Sequence, residues 1–521
     1  MSVYTAKNVE CLFYRLKSQG KVKMKDIPGV NLILKTINDL NYNIGILNRR
    51  RKRFKARIAE CQAETERYGI LCNFLREIEE RLLYVRTQRD DAKRERDRYI
   101  ADYLEGTFDS IVRNRISIAP YVEKLELGKY MVSVETLEEK LVCQLIKEDL
   151  KRAYKVVPAD RNEIVAQLKC LLKSNLPKVI IRADVRRFFE SVSLEDIIDK
   201  IARNAYLNKL SLKYLKRFYH YLSKDTDFGI TSLENEDACS LIAPKIERIC
   251  GLPRGLAFSS YLAEIFMQEI DKSIEAIDGV VYYRRYVDDI IIIASSDRDV
   301  AEYWSDISGC VSAGGETMRL HEDSDKKSLN VTAPDVTITF DYLGYSFKVN
   351  SAGVSVGLAQ KRKEKYISRI DAIFNYYGNY PYASRAYRVN HRCLNNNLNK
   401  KRIRSVDPLR ELFAMLSCLT GNGHLEGDKR NVSIGSYFSN RHITDLSDLK
   451  TLDDYLLDKI NKAFNPPATM FCYGRGHDRE WYVEKIRDVM KKWTFTDGFH
   501  SRRFCKNPKF TYTLGRIKSL E

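Results

Sequence analysis

The stretch VVYYRRYVDDIIIIAS, Val280 to Ser295, decides the fold. Two runs rich in β-branched and aromatic residues flank a polar centre, the pattern of a hairpin with Asp288 and Asp289 at its turn. Adjacent carboxylates repel each other, and a divalent cation is the simplest way to hold them together. Acidic pairs are also common in solvated turns, so the pair alone leaves both readings open. A second acid adds weight to the first. In KVIIRADVRRFFESV, Asp184 ends an apolar strand that starts at Lys178, where a carboxylate without a partner is costly. Phosphoryl transfer between nucleotides uses two Mg²⁺ ions about 4 Å apart, one on the attacking hydroxyl and one on the triphosphate. Carboxylates on neighbouring strands can bridge such a pair, while water and substrate phosphates complete the shells of these hard cations.

The bulk properties agree with a nucleic-acid partner. A chain of 521 residues implies two or three domains, and 44% hydrophobic residues is a globular composition. Eighty-eight Lys and Arg against 70 acids give a net charge of +18, which favours an anionic partner. No run of 18 uncharged apolar residues exists, so no membrane-spanning helix is expected and nucleic acid stays ahead of a membrane. The first twenty residues carry Lys7, Arg15 and Lys17 among polar neighbours and lack the apolar run of a secretory signal, so a cytoplasmic location is expected. Twelve cysteines without a CxxC pair point to a reduced compartment and mostly buried thiols rather than to disulfides or zinc.

Residues 41–105 are charge-rich and nearly free of Gly and Pro, with Leu71, Leu75, Ile78, Leu82 and Val85 on one helical seam. The seam spans only about two heptads, so an antiparallel helical hairpin is expected, with self-association through this arm as the alternative. Thr136 and Glu139 form a capping-box pattern ahead of Leu137, Leu141 and Leu145, which predicts a helix to about Leu150. Beyond Ser351 the chain reads as helical and basic, with 31 Lys and Arg against 17 acids in residues 351–521.

Five blocks, in order between Arg152 and Phe347, together resemble the reverse transcriptases. They are Asp184 with Phe188 and Phe189, then GLPRGLAFSSYLAEIFMQEID from Gly251, then RYVDD from Arg285, then Ser324-Asp325-Lys326-Lys327, then YLGYSF from Tyr342 to Phe347. The resemblance implies an α+β, right-hand polymerase architecture. A helical N-terminal region (1–130) precedes fingers and palm (131–350), and a basic, mostly helical thumb and accessory domain (351–521) follows. It implies that Asp184 and Asp288 are metal ligands with Asp289 as the third carboxylate, that Val185 lends a backbone carbonyl, and that two Mg²⁺ ions, or Mn²⁺ in their place, are the cofactors. Phe188 fills core. Phe189 matches the aromatic under the nucleotide sugar that excludes a 2′-hydroxyl, which makes DNA the product. Arg254 stands where many members carry Gln; a contact to nucleotide phosphate and a salt bridge to an acid are both open to it. Gly255 allows the backbone to approach the nucleotide. Lys326 matches the proton donor to pyrophosphate, although Lys327 replaces a frequent Thr and a register shift by one is possible. Leu343 and Gly344 match the primer grip.

The segment from Arg152 to Leu168 resembles the bacterial defence-associated reverse transcriptases, the abortive-infection group among them, and offers Arg152, Lys155 and Arg161 as cations for the triphosphate. Gly435 to Leu456 resembles a segment of the same group. The expected partners are an RNA template, a dedicated noncoding RNA being one form of it, a DNA product and dNTPs, with a second copy bound through the N-terminal helices as the alternative noted above. Basic clusters Lys361 to Lys365 and Lys400 to Arg404, with Tyr366, Tyr376, Tyr377, Tyr380 and Tyr382 nearby, would track a duplex or cover a helical core. Two further readings stand beside RNA-directed DNA synthesis in antiphage defence. One is protein-primed or template-independent DNA synthesis; the other is a catalytically inactive RNA-binding scaffold.

Overall fold

Sequence almost free of Gly and Pro folds into long helices at the start of the chain: α1 (Ala6–Ser18), α2 (Val30–Ala59) and α3 (Glu66–Val112). The computed structural model describes residues 3–19, 21–62, 65–125, 129–174, 176–204, 206–223, 251–324, 326–332, 336–351, 353–378, 408–425, 433–464, 493–505 and 510–520. Two compact units result, one of residues 1–157 with 189–266 and one of 158–188 with 267–521.

In the first unit, α2 and α3 run antiparallel as a helical hairpin. Phe54 meets Phe74 with ring centroids 5.9 Å apart, and the Tyr99 hydroxyl donates to the Pro28 carbonyl at 2.8 Å. Leu71 and Leu82 of the expected seam are buried, whereas Leu75, Ile78 and Val85 are half-buried. A short antiparallel pair, β1 (Tyr121–Lys124) and β2 (Tyr130–Ser133), leads into α4 (Leu137–Tyr154). The capping box at Thr136 and Glu139 starts this helix, and Leu137, Leu141 and Leu145 are buried along it. Asp149 on α4 is fully buried. It is neutralised by Arg152 at 2.6 Å and bonded by the Asn208 amide at 2.8 Å and the Ser211 hydroxyl at 2.6 Å.

The second unit contains α5 (Arg161–Leu171), β3 (Lys178–Asp184), residues from Met267 onward of α6 (Ser259–Glu275), and the hairpin β4 (Val280–Tyr286) and β5 (Asp289–Ser295). After α7 (Val300–Ser312) and β6 (Ser328–Val331), an antiparallel sheet of order β4-β5-β3-β6 is complete. The apolar runs in β3 and β5 are continuous because both faces are covered: Val179, Ile180, Ile181 and Ile290 to Ile293 are all buried. Each such isoleucine contributes roughly 1.5–3 kcal/mol of burial.

The segment expected to be helical from Ser351 instead begins with a strand. β7 (Ile338–Tyr342), β8 (Tyr345–Asn350) and β9 (Gly353–Leu358) form a second antiparallel sheet, because Val356 and Leu358 alternate into the core shared with Phe340 and Phe347. Helices follow at α8 (Gln360–Gly378), α9 (Pro408–Thr420) and α10 (Ser447–Phe464). Leu412, Leu449 and Leu452 of these helices join that core. Lys400 to Arg404, Tyr380 and Tyr382 lie outside the described residues, as does the Tyr377 side chain. None of the eight described cysteines is in a disulfide, and only Cys143 and Cys418 are buried, fewer than composition led us to expect. No described helix is long and apolar enough to cross a membrane.

Candidate active site

Asp184, the last residue of β3, stands opposite Asp289, the first of β5, in the register of the two strands. Backbone bonds fix the ends of these strands. The Val185 amide donates to the Asp288 carbonyl at 3.1 Å, and the His321 amide to the Asp184 carbonyl at 2.9 Å. The Tyr342 hydroxyl donates to the Asp289 carbonyl at 3.3 Å. Asp184 is 4% exposed, while Asp288 and Asp289 are half-buried.

Cations surround the acids. The Lys326 ammonium pairs with the Asp184 carboxylate. Arg182 Nη2 lies 3.8 Å from Asp289 Oδ1, and His321 Nε2 lies 3.9 Å from Asp184 Oδ1. Lys327 points elsewhere, to Glu322 at 2.5 Å and over the Trp304 ring at 3.9 Å, so of the two neighbouring lysines it is Lys326 that meets Asp184. Burial pushes the Asp289 carboxyl above the usual carboxylate range; Arg182 pulls it back, and repulsion from Asp184 and Asp288 pushes it up again. Burial works against the Lys326 ammonium, but its bond to Asp184 and the pull of the three aspartates outweigh that effect and raise its pKa.

The donor set fits a divalent ion: hard carboxylate oxygens, crowded enough that one of them already holds an ammonium. Among the described residues no group of three or more His, Cys, Asp or Glu side chains is placed to hold a metal ion by itself. An open site completed by substrate phosphates suits Mg²⁺ better than a closed protein cage.

Arg285 opens the RYVDD motif, and the sequence alone gives it no role. Its side chain is 3% exposed and grips Asp271 of α6 with both prongs, Nε to Oδ1 at 2.9 Å and Nη2 to Oδ2 at 2.9 Å. The third nitrogen, Nη1, donates to the Val287 carbonyl at 2.8 Å. Val287 has φ of 61°, a left-handed conformation costly for a β-branched residue, so this bond supports the turn where support is most needed. The guanidinium also lies 6.0 Å from the centroid of the buried Phe188 ring.

The Leu343-Gly344 turn joins β7 to β8 with both residues at positive φ, 47° and 75°. Arg161 Nε donates to the Leu343 carbonyl at 2.9 Å, and the guanidinium stacks 5.0 Å from the Tyr345 ring centroid. Arg362 lies 5.5 Å from the same centroid and donates to the Ser439 carbonyl at 2.8 Å. Ser439 belongs to the Gly435–Leu456 stretch, to which the sequence assigned no chemistry. Burial lowers the Arg161 pKa, and Arg362 adds to that effect.

In the first unit, Phe189 is half-buried and carries the Arg254 guanidinium 4.8 Å from its ring centroid. Arg254 forks onto Glu190, with Nε to Oε1 at 3.0 Å and Nη2 to Oε2 at 3.1 Å. Gly251 and Gly255 take φ of 85° and 97°, and a Cβ on either would strike backbone, the Phe189 carbonyl for the first and the Val132 carbonyl for the second. Arg152 is engaged by Asp149, and Lys155 is exposed at the left-handed C-cap of α4.

Acids at the ends of neighbouring strands, flanked by a protonated lysine, suit metal-assisted phosphoryl transfer. Comparison with known families narrows that class. Residues 123–347 match the family described as reverse transcriptase (RNA-dependent DNA polymerase). No curated protein matches the chain. Among solved structures, an apo telomerase from Candida tropicalis truncated from its C-terminal domain matches at 13% identity and a TM-score of 0.28, over 41% of this chain and 44% of that one. Telomerase from Candida tropicalis with a TWJ fragment of telomeric RNA matches at 11% identity and a TM-score of 0.33, over 81% of this chain and 65% of that one. Its counterpart from Candida albicans matches at 10% and 0.30, over 73% and 54%. The chain thus spans less than two thirds of the length of each of these telomerases.

Proposed function

We propose that this chain is an RNA-directed DNA polymerase of reverse-transcriptase type. The observation that carries the reading is the facing of Asp184 and Asp289 across β3 and β5, with Lys326 on Asp184. Asp184, Asp288 and Asp289, with the Val185 carbonyl, would hold two divalent ions, Mg²⁺ or Mn²⁺. Bound there, the ions supply activation of the primer hydroxyl and stabilisation of the leaving phosphate charge. Lys326, kept protonated by the aspartates, is the proton donor to pyrophosphate. Phe189 sets the preference for deoxynucleotides, and Leu343 and Gly344 contact the primer strand. The engagement of Arg152 by Asp149 and of Arg161 by Leu343 makes Lys155 the first choice among the three cations for a triphosphate contact.

The same reading extends to bacterial antiphage defence, supported by the likeness of Arg152–Leu168 and Gly435–Leu456 to defence-associated members. Primer extension on an RNA template tests the chemistry: wild type should incorporate deoxynucleotides, and Asp288→Ala with Asp289→Ala should abolish incorporation and phage protection together. Equal use of ribonucleotides would remove the role given to Phe189, and protection surviving the double substitution would sink the defence role of polymerisation.

A further inference from the structure

The second half of α2 has a composition that polymerisation does not require. Seven cations occupy the nine positions from Arg49 to Arg57, and no acid lies between Asp39 and Glu60. The buried residues of α2 are Val30, Ile37, Ile44 and Leu47, so the last twelve positions contribute none to a core. Arg49, Arg50, Lys52, Arg53 and Arg57 are exposed, and among the described residues none of them has an ion pair. Lys55 alone meets an acid, Glu79 of α3 at 3.4 Å, with both side chains about half exposed. Glu77 and Glu80 are the other acids on the facing stretch of α3.

Arg49, Arg53 and Arg57 stand four residues apart, which aligns them on one face of the helix at intervals of about 6 Å. Like charges at that spacing destabilise a helix, and among the described residues no carboxylate offsets them. An external polyanion would. Five of the seven cations are Arg, whose planar fork suits phosphate oxygens. An acidic membrane fits less well, because an interfacial helix needs a free apolar face and Phe54 on this segment is turned to Phe74 of α3.

We infer that the exposed Arg49, Arg53 and Arg57 face of α2 is a docking surface for the phosphate backbone of a structured RNA. That the polyanion is RNA rests on the polymerase reading above; the basic face itself does not. The surface holds RNA through counterion release and reads no sequence.

The test uses the full chain and a synthetic RNA duplex of roughly 30 base pairs, long enough for two successive minor grooves. Arg49→Gln, Arg53→Gln and Arg57→Gln together should weaken binding at least about tenfold and make the log–log salt dependence shallower by about three. Extension of a supplied primer–template at saturating concentration should stay at the wild-type rate, and a triple Lys variant should retain the salt slope. Asp288→Ala with Asp289→Ala should do the reverse, losing extension and keeping RNA binding, so failure of one reading is distinguishable from failure of the other. Unchanged affinity and slope in the Gln variant overturn the inference. So does equal affinity for DNA duplex, or binding to phosphatidylserine vesicles in place of RNA. Should the Gln variant lose helicity, ultraviolet crosslinking of the wild-type chain to the duplex decides: adducts within α2 support the surface, and adducts confined to other segments overturn it.

Discussion

Two hairpins of the second unit solve the same local problem with opposite electrostatics. At Tyr286 to Asp289 and at Tyr342 to Tyr345, a two-residue turn begins with an apolar residue at positive φ, Val287 and Leu343, and in each an arginine donates to that residue's carbonyl. Arg285, which supports the first, is buried and neutralised by Asp271. Arg161, which supports the second, has no carboxylate partner among the described residues and sits over the Tyr345 ring beside a second arginine, Arg362. The first turn is thereby braced without adding net positive charge beside the aspartates proposed to hold metal. The second keeps two guanidiniums without a carboxylate partner among the described residues, beside a turn suited to a polyanionic strand.

Breaking the first brace should have the larger effect. Arg285→Met leaves Asp271 and the Val287 carbonyl without their donor. Removal of one partner of a buried pair costs about 3–5 kcal/mol, readable as a lower midpoint in chemical denaturation. In the fraction that remains folded, single-turnover incorporation should fall at least about tenfold with little change in nucleotide KM, the signature of a disturbed catalytic turn rather than lost substrate binding. Arg285→Lys should recover part of the stability and less of the rate, since one ammonium cannot hold Asp271 at both oxygens and reach Val287. Wild-type incorporation in folded Arg285→Met would end the claim that this arginine positions the aspartates.

The contrast also explains what was legible in the sequence. The β4–β5 hairpin and its aspartates could be read because strand period, β-branching and turn chemistry are local signals, as was the capping box at Thr136. Arg285 carried no local signal: its partner lies 14 residues away on a helix, and only packing reveals that the pair is buried. Arg161 shows the same limit from the other direction. A cation at a helix start looks available for phosphate, and nothing local shows that it also donates to a carbonyl 182 residues downstream. The strand Gly353–Leu358 was missed because its six residues adjoin a strongly basic helix whose composition dominates the window.

Arg161→Gln should act on binding more than on chemistry. Hydrogen bonds to charged groups contribute about 1.5–3 kcal/mol when buried, and Arg161 is partly exposed, so a rise of roughly tenfold in the Kd for primer–template is expected. The maximal incorporation rate should change less than the Kd. Arg362→Gln should follow with a smaller rise, because its bond to the Gly344 carbonyl is long at 3.4 Å. A variant of Arg161 that loses rate and keeps affinity would erase the distinction between the two hairpins.

The smallest effect sharpens the same hairpin through pH. His442 packs edge-on against Tyr345 with centroids 5.9 Å apart, and burial, followed by Arg441, Lys169 and Arg161, pulls its pKa down from 6.5 to about 4 against the opposing pull of Asp160. The unfolded chain therefore binds a proton that the folded chain refuses between those values. Stability from this group is fully present above pH 6.5 and is lost as pH falls toward 4, on the order of 1 kcal/mol once solvent screening is allowed for. Difference melts of wild type against His442→Phe should converge or favour the histidine at neutral pH and move steadily toward the phenylalanine on acidification. A pH-independent difference would mean that neither burial nor the cationic surroundings of Tyr345 keep the His442 imidazole neutral, and that the positive character assigned to this hairpin is confined to its two arginines.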